Sequence, residues 1–494
     1  MRLNQIVQGL ATAPGLTGTG VLPLTAPDGD VDPEVTAVVH DTRDVVAGAL
    51  FCCVPGSRVD GHDLAPKAVE AGAVALAVER PLPDLAATPQ VLVPSVRAAM
   101  GPLAAAFWRN PSHNLEVLGV TGTAGKTTVT HLLRSIMDAA GQPCGLIGTL
   151  SGPRTTPEGP ELQAMLAAER DRGRRAVAME VSSHGLELHR VDATRFAVAV
   201  FLNLSREHLD FHPDMDAYFA AKARLFTSAF SDRAVVCIDD EWGRRLATSL
   251  EGSPLTLHRC SLADAEDLQL GPGGARFTWR GQPVELSLRG RFNVRNALAA
   301  ATAAAATGVD AGTIAAGLRA AGPVPGRFEP VDAGQPYTVL VDYAHKPDAL
   351  EQALLAAREL VADDASATQP AKLTVVFGCG GDRDTAKRPM MGAVAAQHAD
   401  LVVLTSDNPR SEDPQAIVDA VRAGVPDSTP LVVELDRHQA IAFALDRAGP
   451  GDVVLVAGKG HEATQVVGDA VLPFDDRVVV RALIHGHGEE AVRL

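Results

Sequence analysis

Five short runs in the last third of the chain constrain its fold most. They are YTVLVDY (337–343), KLTVVFG (372–378), DLVVLTS (400–406), PLVVEL (430–435) and GDVVLVAG (451–458). None alternates apolar with polar residues, so none reads as a strand with one wet face. Helical patterns separate them. Apolar strands alternating with helices predict a parallel sheet covered on both faces. Ligands on such sheets bind beyond the carboxyl ends of the strands. DNPR (407–410) and GKGHE (458–462) fall at two such ends.

The same reading divides the 494 residues into three α/β domains. Residues 1–108 hold VTAVVH, ALFCCV and AVALAVE between Gly, Pro and Asp turns, a small mixed α/β domain. Residues 109–325 open with EVLGV, continue through AVAMEV and FAVAVFLNL, and carry a helical stretch NALAAATAAAATG, a central parallel sheet of the P-loop ATPase type. Residues 326–494 form a Rossmann-like domain. The net charge of −16 excludes general binding to nucleic acid or anionic membrane surfaces. The 6 cysteines form no CxxC pair and predict reduced thiols in a cytoplasmic protein. No secretory leader and no membrane span are expected.

The strongest local signal is GVTGTAGKTTVTHLL, starting at Gly119. A strand, a glycine-rich turn and Lys-Thr-Thr entering a helix predict a phosphate cradle. Gly122, Thr123, Ala124 and Gly125 supply backbone, Lys126 reaches the outer phosphates, and Thr127 and Thr128 lie near Mg²⁺. Val120 stands where the strict GxxxxGK[ST] pattern has its first glycine. The loop predicts ATP binding, but a kinase, a switch and a ligase would all begin this way. Glu180 ends the apolar run AVAMEV, where a carboxylate suits a hard cation such as Mg²⁺ or pairs with a charge at a strand end. His208 and His212 are spaced to share a helix face, without an HExxH pattern.

MEVSSHGL (179–186), NLSREHLDFH (203–212), YFAAKARLF (218–226), GRFNVRNALAA (290–300), PGRFE (325–329) and VDYAHKPDAL (341–350) occur in the order seen in Mur ligases. DTRDVVAGALFCCVPGSRVDGHD (41–63), RTTPE (154–158), GCGGDRDTAKRPMM (378–391), DNPR and GKGHE are similar to the branch that adds the third residue of the stem peptide. The resemblance covers nearly the whole chain. It implies a ligase of peptidoglycan precursor synthesis in a bacterial cytoplasm, acting as a monomer with ATP and two Mg²⁺ sites. ATP phosphorylates the free carboxylate of UDP-N-acetylmuramoyl-L-Ala-D-Glu, and the amine of a diamino acid displaces the phosphate. No protein nucleophile is needed.

The resemblance also implies roles. His208 joins Thr127 and Glu180 as a metal ligand, and Lys222 is carbamylated to hold a second Mg²⁺. Asn293 and Asn296 approach the nucleotide, Arg327 its phosphates, Asp342 its ribose, and His345 lies beside them. Thr42, Ser57, Arg58, Val59, Thr155, Thr156, Ser182 and Arg190 fall on the UDP-substrate positions. Glu207, Lys346 and the short segment before Thr155 depart from the family pattern.

The DNPR loop (Asp407, Asn408, Pro409, Arg410) marks members that take meso-2,6-diaminopimelate rather than lysine. That substrate carries a second carboxylate, which a guanidinium such as Arg410 can hold bidentately. Arg383 is the matching partner of the other carboxylate, and Asn408, Gly458 and Glu462 serve the distal ammonium and carboxylate. Lysine or another diamino acid, a folylpolyglutamate-synthetase-like ligase, and a non-catalytic nucleotide-binding relative are the alternatives.

Overall fold

The computed structural model describes residues 1–12, 32–56, 59–271, 273–361 and 370–486. Ser57 and Arg58 lie outside the described residues. Two compact units emerge, one of Met1–Ser261 with Leu298–Gly317 and one of Leu262–Ala297 with Leu318–Leu494.

Among the described residues the first unit holds two sheets. Strands β1 (Ala37–Val39), β2 (Ala49–Cys52), β3 (Ala73–Val78) and β4 (Gln90–Leu92) pair in parallel in that order. Leu50, Cys52, Ala75, Ala77 and Val91 face helix Val96–Phe107, while Phe51, Leu76 and Val78 fill the opposite face. The second sheet comprises β5 (Glu116–Thr121), β6 (Cys144–Ile147), β7 (Ala176–Glu180), β8 (Val198–Phe201), β9 (Arg233–Cys237) and β10 (Thr256–Cys260). Its order is β10-β9-β8-β5-β7-β6, all parallel. β5 lies between β7 and β8, so the loops after these three strands emerge side by side.

The second unit begins with an antiparallel sheet that the sequence patterns do not announce, β11 (Glu266–Gly271), β12 (Gly274–Trp279) and β13 (Gln282–Leu286). Its main sheet has β14 (Glu329–Pro330), β15 (Thr338–Asp342), β16 (Leu373–Phe377), β17 (Leu401–Leu404), β18 (Leu431–Val433) and β19 (Val453–Ala457), in the order β14-β15-β19-β16-β17-β18. All five expected apolar runs are strands here, mutually parallel, and β14 pairs antiparallel with β15. Alternate residues enter opposite cores. Leu340, Val375, Leu404 and Leu455 pack with Leu354 and Met391, and Val339, Val376, Val403 and Val454 with Ile441 and Val480. Burial on both faces is why the runs carry no polar alternation. A hairpin, β20 (Thr464–Val467) with β21 (Ala470–Pro473), follows β19.

Candidate active site

In the first unit, β5 leads into the expected loop and helix Lys126–Ala139. Gly125 caps that helix at φ +88°, where a side chain is opposed. The first amides of a helix lack intrahelical partners and face an anion readily. Lys126 Nζ donates to the carbonyls of Gly122 (2.8 Å) and Thr123 (2.9 Å). Thr127 and Thr128 are buried. Asn203, just past β8, clamps the loop: its Oδ1 accepts from the amides of Thr123 (3.1 Å) and Ala124 (2.9 Å). Asn203 opens the NLSREHLDFH segment, and its clamp on the loop depends on β8 lying beside β5.

Glu180, at the end of β7, is 2 % exposed. Its Oε1 accepts from Thr127 Oγ1 (3.0 Å) and from the Thr149 amide (2.9 Å). These are hard oxygen donors of the kind Mg²⁺ takes. Among the described residues no three His, Cys, Asp or Glu converge on a metal position. The donor set fits an ion that shares its shell with phosphate oxygens, as Mg²⁺ commonly does.

Lys222 lies in helix Met215–Ala223 and is 1 % exposed. Its Nζ donates to the Gly122 carbonyl (2.9 Å) and sits 4.7 Å from the Tyr218 ring centre. Burial, and then the charge of Lys126, hold its pKa well below the usual lysine range. The helix-face expectation for His208 and His212 is corrected. Residues 206–214 form turns; His208 has φ +56°, and the His212 amide donates to the His208 carbonyl (2.8 Å). The turn brings the two rings to His184, which the sequence reading passed over. Ring centres are 4.7 Å apart for His184–His208 and 5.8 Å for His184–His212, and His184 stacks on Phe211 at 4.1 Å. Burial pulls His184 down to about 4, and burial together with the charge of Lys126 does the same to His208.

Of the UDP-substrate positions, Thr155, Thr156, Ser182 and Arg190 meet beside β7. Thr155 and Thr149 hydroxyls lie 3.0 Å apart, Thr156 and Ser182 hydroxyls 3.0 Å apart, and Arg190 donates to the Thr156 carbonyl (3.3 Å). Arg190 also pairs with buried Glu158 (2.8 Å), and burial lowers its pKa. Thr42 starts a short turn of helix, Thr42–Asp44, and Val59 is exposed.

In the second unit, Asp342 ends β15 and is committed to backbone. Its oxygens accept from the amides of Phe328 (2.6 Å) and Ala344 (2.8 Å), and burial raises its pKa. The Arg327 guanidinium lies 4.5 Å from the Tyr343 ring centre, and His345 is 4.6 Å from the same ring. Burial takes His345 down to about 4. Asn293 and Asn296 are buried and joined at 3.0 Å.

Sheet order decides the remaining contacts. β19, β16 and β17 are neighbours, so GKGHE, GCGGDR and DNPR share one carboxyl edge. Asn408 Nδ2 donates to Glu462 Oε2 (2.9 Å), and the Gln465 side chain donates to the Asp407 carbonyl (2.8 Å). Gly458 has φ +113°, and a Cβ there would lie 2.6 Å from Asp407 Oδ2, so a side chain is strained at this position. Pro409 is buried. Arg410 (φ +54°) pairs its backbone with the hairpin, its amide donating to Val466 (3.1 Å) and its carbonyl accepting from Gly468 (2.7 Å), while its guanidinium reaches the Gly381 carbonyl. Arg383 follows that turn and is exposed. The second unit thus gathers all seven expected amino-acid residues around three adjacent loops.

Three family models match the chain: Mur ligase family, catalytic domain, over residues 34–108; Mur ligase middle domain, over 120–304; and Mur ligase, glutamate ligase domain, over 326–460. A Streptomyces coelicolor protein named UDP-N-acetylmuramoyl-L-alanyl-D-glutamate--2,6-diaminopimelate ligase is 46 % identical over 494 residues, 94 % of each chain. A Geobacillus thermodenitrificans protein of the same name is 45 % identical over 477 residues, 92 % of this chain and 95 % of that one. A solved structure described by that name superposes with a TM-score of 0.66 at 33 % identity, covering 92 % of this chain and 95 % of the other. Phosphate loop, strand order and full-length similarity agree: the chain belongs to the Mur ligase family.

Proposed function

We propose that the chain joins meso-2,6-diaminopimelate to UDP-N-acetylmuramoyl-L-alanyl-D-glutamate, with ATP cleaved to ADP and phosphate, in the cytoplasmic synthesis of peptidoglycan precursors. What carries the reading is the common edge of DNPR, GCGGDR and GKGHE, where Arg410, Arg383 and Glu462 offer charges of both signs to a zwitterion. The relatives of like name support it along nearly the full length.

The chemistry needs no nucleophile from the protein. A carboxylate oxygen of the dipeptide attacks the γ-phosphorus, and the bond to ADP breaks. The amine then attacks the acyl carbon, loses its proton, and the carbon–oxygen bond to phosphate breaks as the amide forms. Both steps gather negative charge, so catalysis rests on positioning and electrostatics. Lys126 and the first amides of its helix hold the phosphates, and Thr127, Glu180 and His208 would hold Mg²⁺. Charge neutralisation on the phosphates is what Mg²⁺ supplies when bound. A neutral His208 ring can ligate, in keeping with its lowered pKa.

Lys222 as an ammonium beside Lys126 is a poor cation ligand. As a neutral amine it can attack CO₂, forming an N–C bond and releasing a proton, and the resulting carbamate would serve a second Mg²⁺. Its enclosure and lowered pKa support that state. The reading includes three domains, 1–108, 109–325 and 326–494, and a monomeric enzyme. No helix among the described residues is long and apolar enough to cross a membrane.

The test is phosphate release from ATP with Mg²⁺ and the UDP-dipeptide, with diaminopimelate, with L-lysine, or with neither. Release with diaminopimelate alone is expected. Release with lysine instead would keep the ligase and discard the specificity; no release with either would discard both.

A further inference from the structure

Lys459 lies between the two glycines of GKGHE, where a sequence reader would look for a ligand-binding lysine. It points inward instead and is 0 % exposed. Its Nζ has three acceptors, the Thr464 carbonyl (2.6 Å), Asn408 Oδ1 (3.3 Å) and Glu462 Oε2 (3.3 Å). An ammonium has three protons, so its donors are fully used within the protein.

That arrangement decides how Asn408 faces the pocket. Oδ1 accepts from Lys459 and from the Val466 amide (2.9 Å). Two donors at one end of the amide leave Nδ2 as the only end that can face outward. Nδ2 spends one proton on Glu462 Oε2 (2.9 Å) and keeps the other. Glu462 Oε2 therefore receives Lys459 and Asn408, and Oε1 has no hydrogen-bond partner among the described residues.

We infer that Lys459 is a positioning residue that locks the Asn408 amide with its N–H outward and Glu462 with one oxygen outward, so that this edge offers a donor to a distal carboxylate and an acceptor to a distal ammonium. The inference rests on the proposed diamino-acid reading and extends it to a residue that touches no substrate. Without Lys459, Asn408 Oδ1 keeps only the Val466 amide and Glu462 Oε2 keeps only Asn408 Nδ2, so neither group is held as firmly in the orientation that meets the second carboxylate and the distal ammonium.

The experiment is steady-state kinetics of Lys459→Met in the wild-type and Asn408→Ala backgrounds. KM is measured for diaminopimelate, ATP and the UDP-dipeptide, alongside the melting temperature. Lys459→Met is expected to raise KM for diaminopimelate about tenfold or more, with the other two KM values unchanged. In the Asn408→Ala background it should add a smaller factor, the part carried by Glu462 alone, because coupled residues are not additive. Equal effects in both backgrounds, or a uniform rise in all three KM values, overturn the inference. Should Lys459→Met fail to fold, Asn408→Asp keeps the acceptor for Lys459 and deletes the donor; an unchanged KM for diaminopimelate then overturns it. Wild-type enzyme that turns over no diamino acid defeats the functional reading and this inference together. Normal wild-type turnover with an unaffected variant defeats this inference alone.

Discussion

Arg437 and Asp476 form a bidentate ion pair with both side chains fully enclosed, Nε to Oδ1 and Nη2 to Oδ2 each at 2.8 Å. The same guanidinium donates to the carbonyls of Ala457 (3.0 Å) and Ser406 (3.3 Å). Those residues immediately precede Gly458 and Asp407, so one buried cation ties together the ends of β19 and β17. Arg437→Met should destabilise the protein by about 3–5 kcal/mol, because it strands a buried carboxylate. Arg437→Met with Asp476→Leu should recover most of that loss. Urea unfolding of the single and double variants checks it; a single variant within 1 kcal/mol of wild type, on the scale of about 0–1 kcal/mol found for exposed pairs, would contradict it.

Arg410→Ala should lower kcat/KM for diaminopimelate on the order of 10²-fold, the worth of one or two charged hydrogen bonds. Turnover with L-lysine, which lacks the second carboxylate, should change little. Competition between the two amino acids reads the ratio directly, and equal losses for both would remove Arg410 from specificity.

Asn203→Ala deletes the acceptor for two phosphate-loop amides. ADP binding should weaken about 5- to 30-fold, from the loss of one to two hydrogen bonds' worth of loop order. Titration calorimetry with ADP and Mg²⁺ reads this. Unaltered affinity would mean that the loop is held without Asn203.

The buried imidazoles predict a one-sided pH dependence. His184, His208, His345 and His461 lie at about 4 against an ordinary value of 6.5, chiefly through burial. Between pH 6.5 and about 4 the unfolded chain binds protons that the folded chain refuses, so stability falls as the pH drops through that window. Above it these groups add no pH dependence. Melting temperatures from pH 7 to 4.5 should decline accordingly, and the His345 ring resonances should not titrate near 6.5. A His345 midpoint close to 6.5 would refute the account.

Enzyme held in CO₂-free buffer should lose activity and regain it with bicarbonate, whereas Lys222→Ala should be inactive in both. Activity indifferent to CO₂ would leave Lys222 as a buried amine without a carbamate.

The parallel sheets and the phosphate loop could be read from the chain because each depends on neighbours in sequence: five doubly apolar runs, and Gly125 to Thr128 at a strand-to-helix turn. The antiparallel sheet of residues 266–286 could not, since its strands are short and break the period-two pattern: β11 has no buried residue, and β12 buries two neighbours in a row. His184, Asn203, Lys459 and the Arg437–Asp476 pair could not either. Each draws its meaning from partners far away in sequence, as Lys459 does from Asn408, and a fully buried charge looks in sequence like any surface charge. Residue types and their order determined by themselves the α/β class, the phosphate loop and the DNPR signature. Strand order alone decided that DNPR, GCGGDR and GKGHE meet, because β19 inserts between β15 and β16. Burial decided the rest: removal from water is what lowers the pKa of Lys222 and what encloses Lys459, and no local pattern records it.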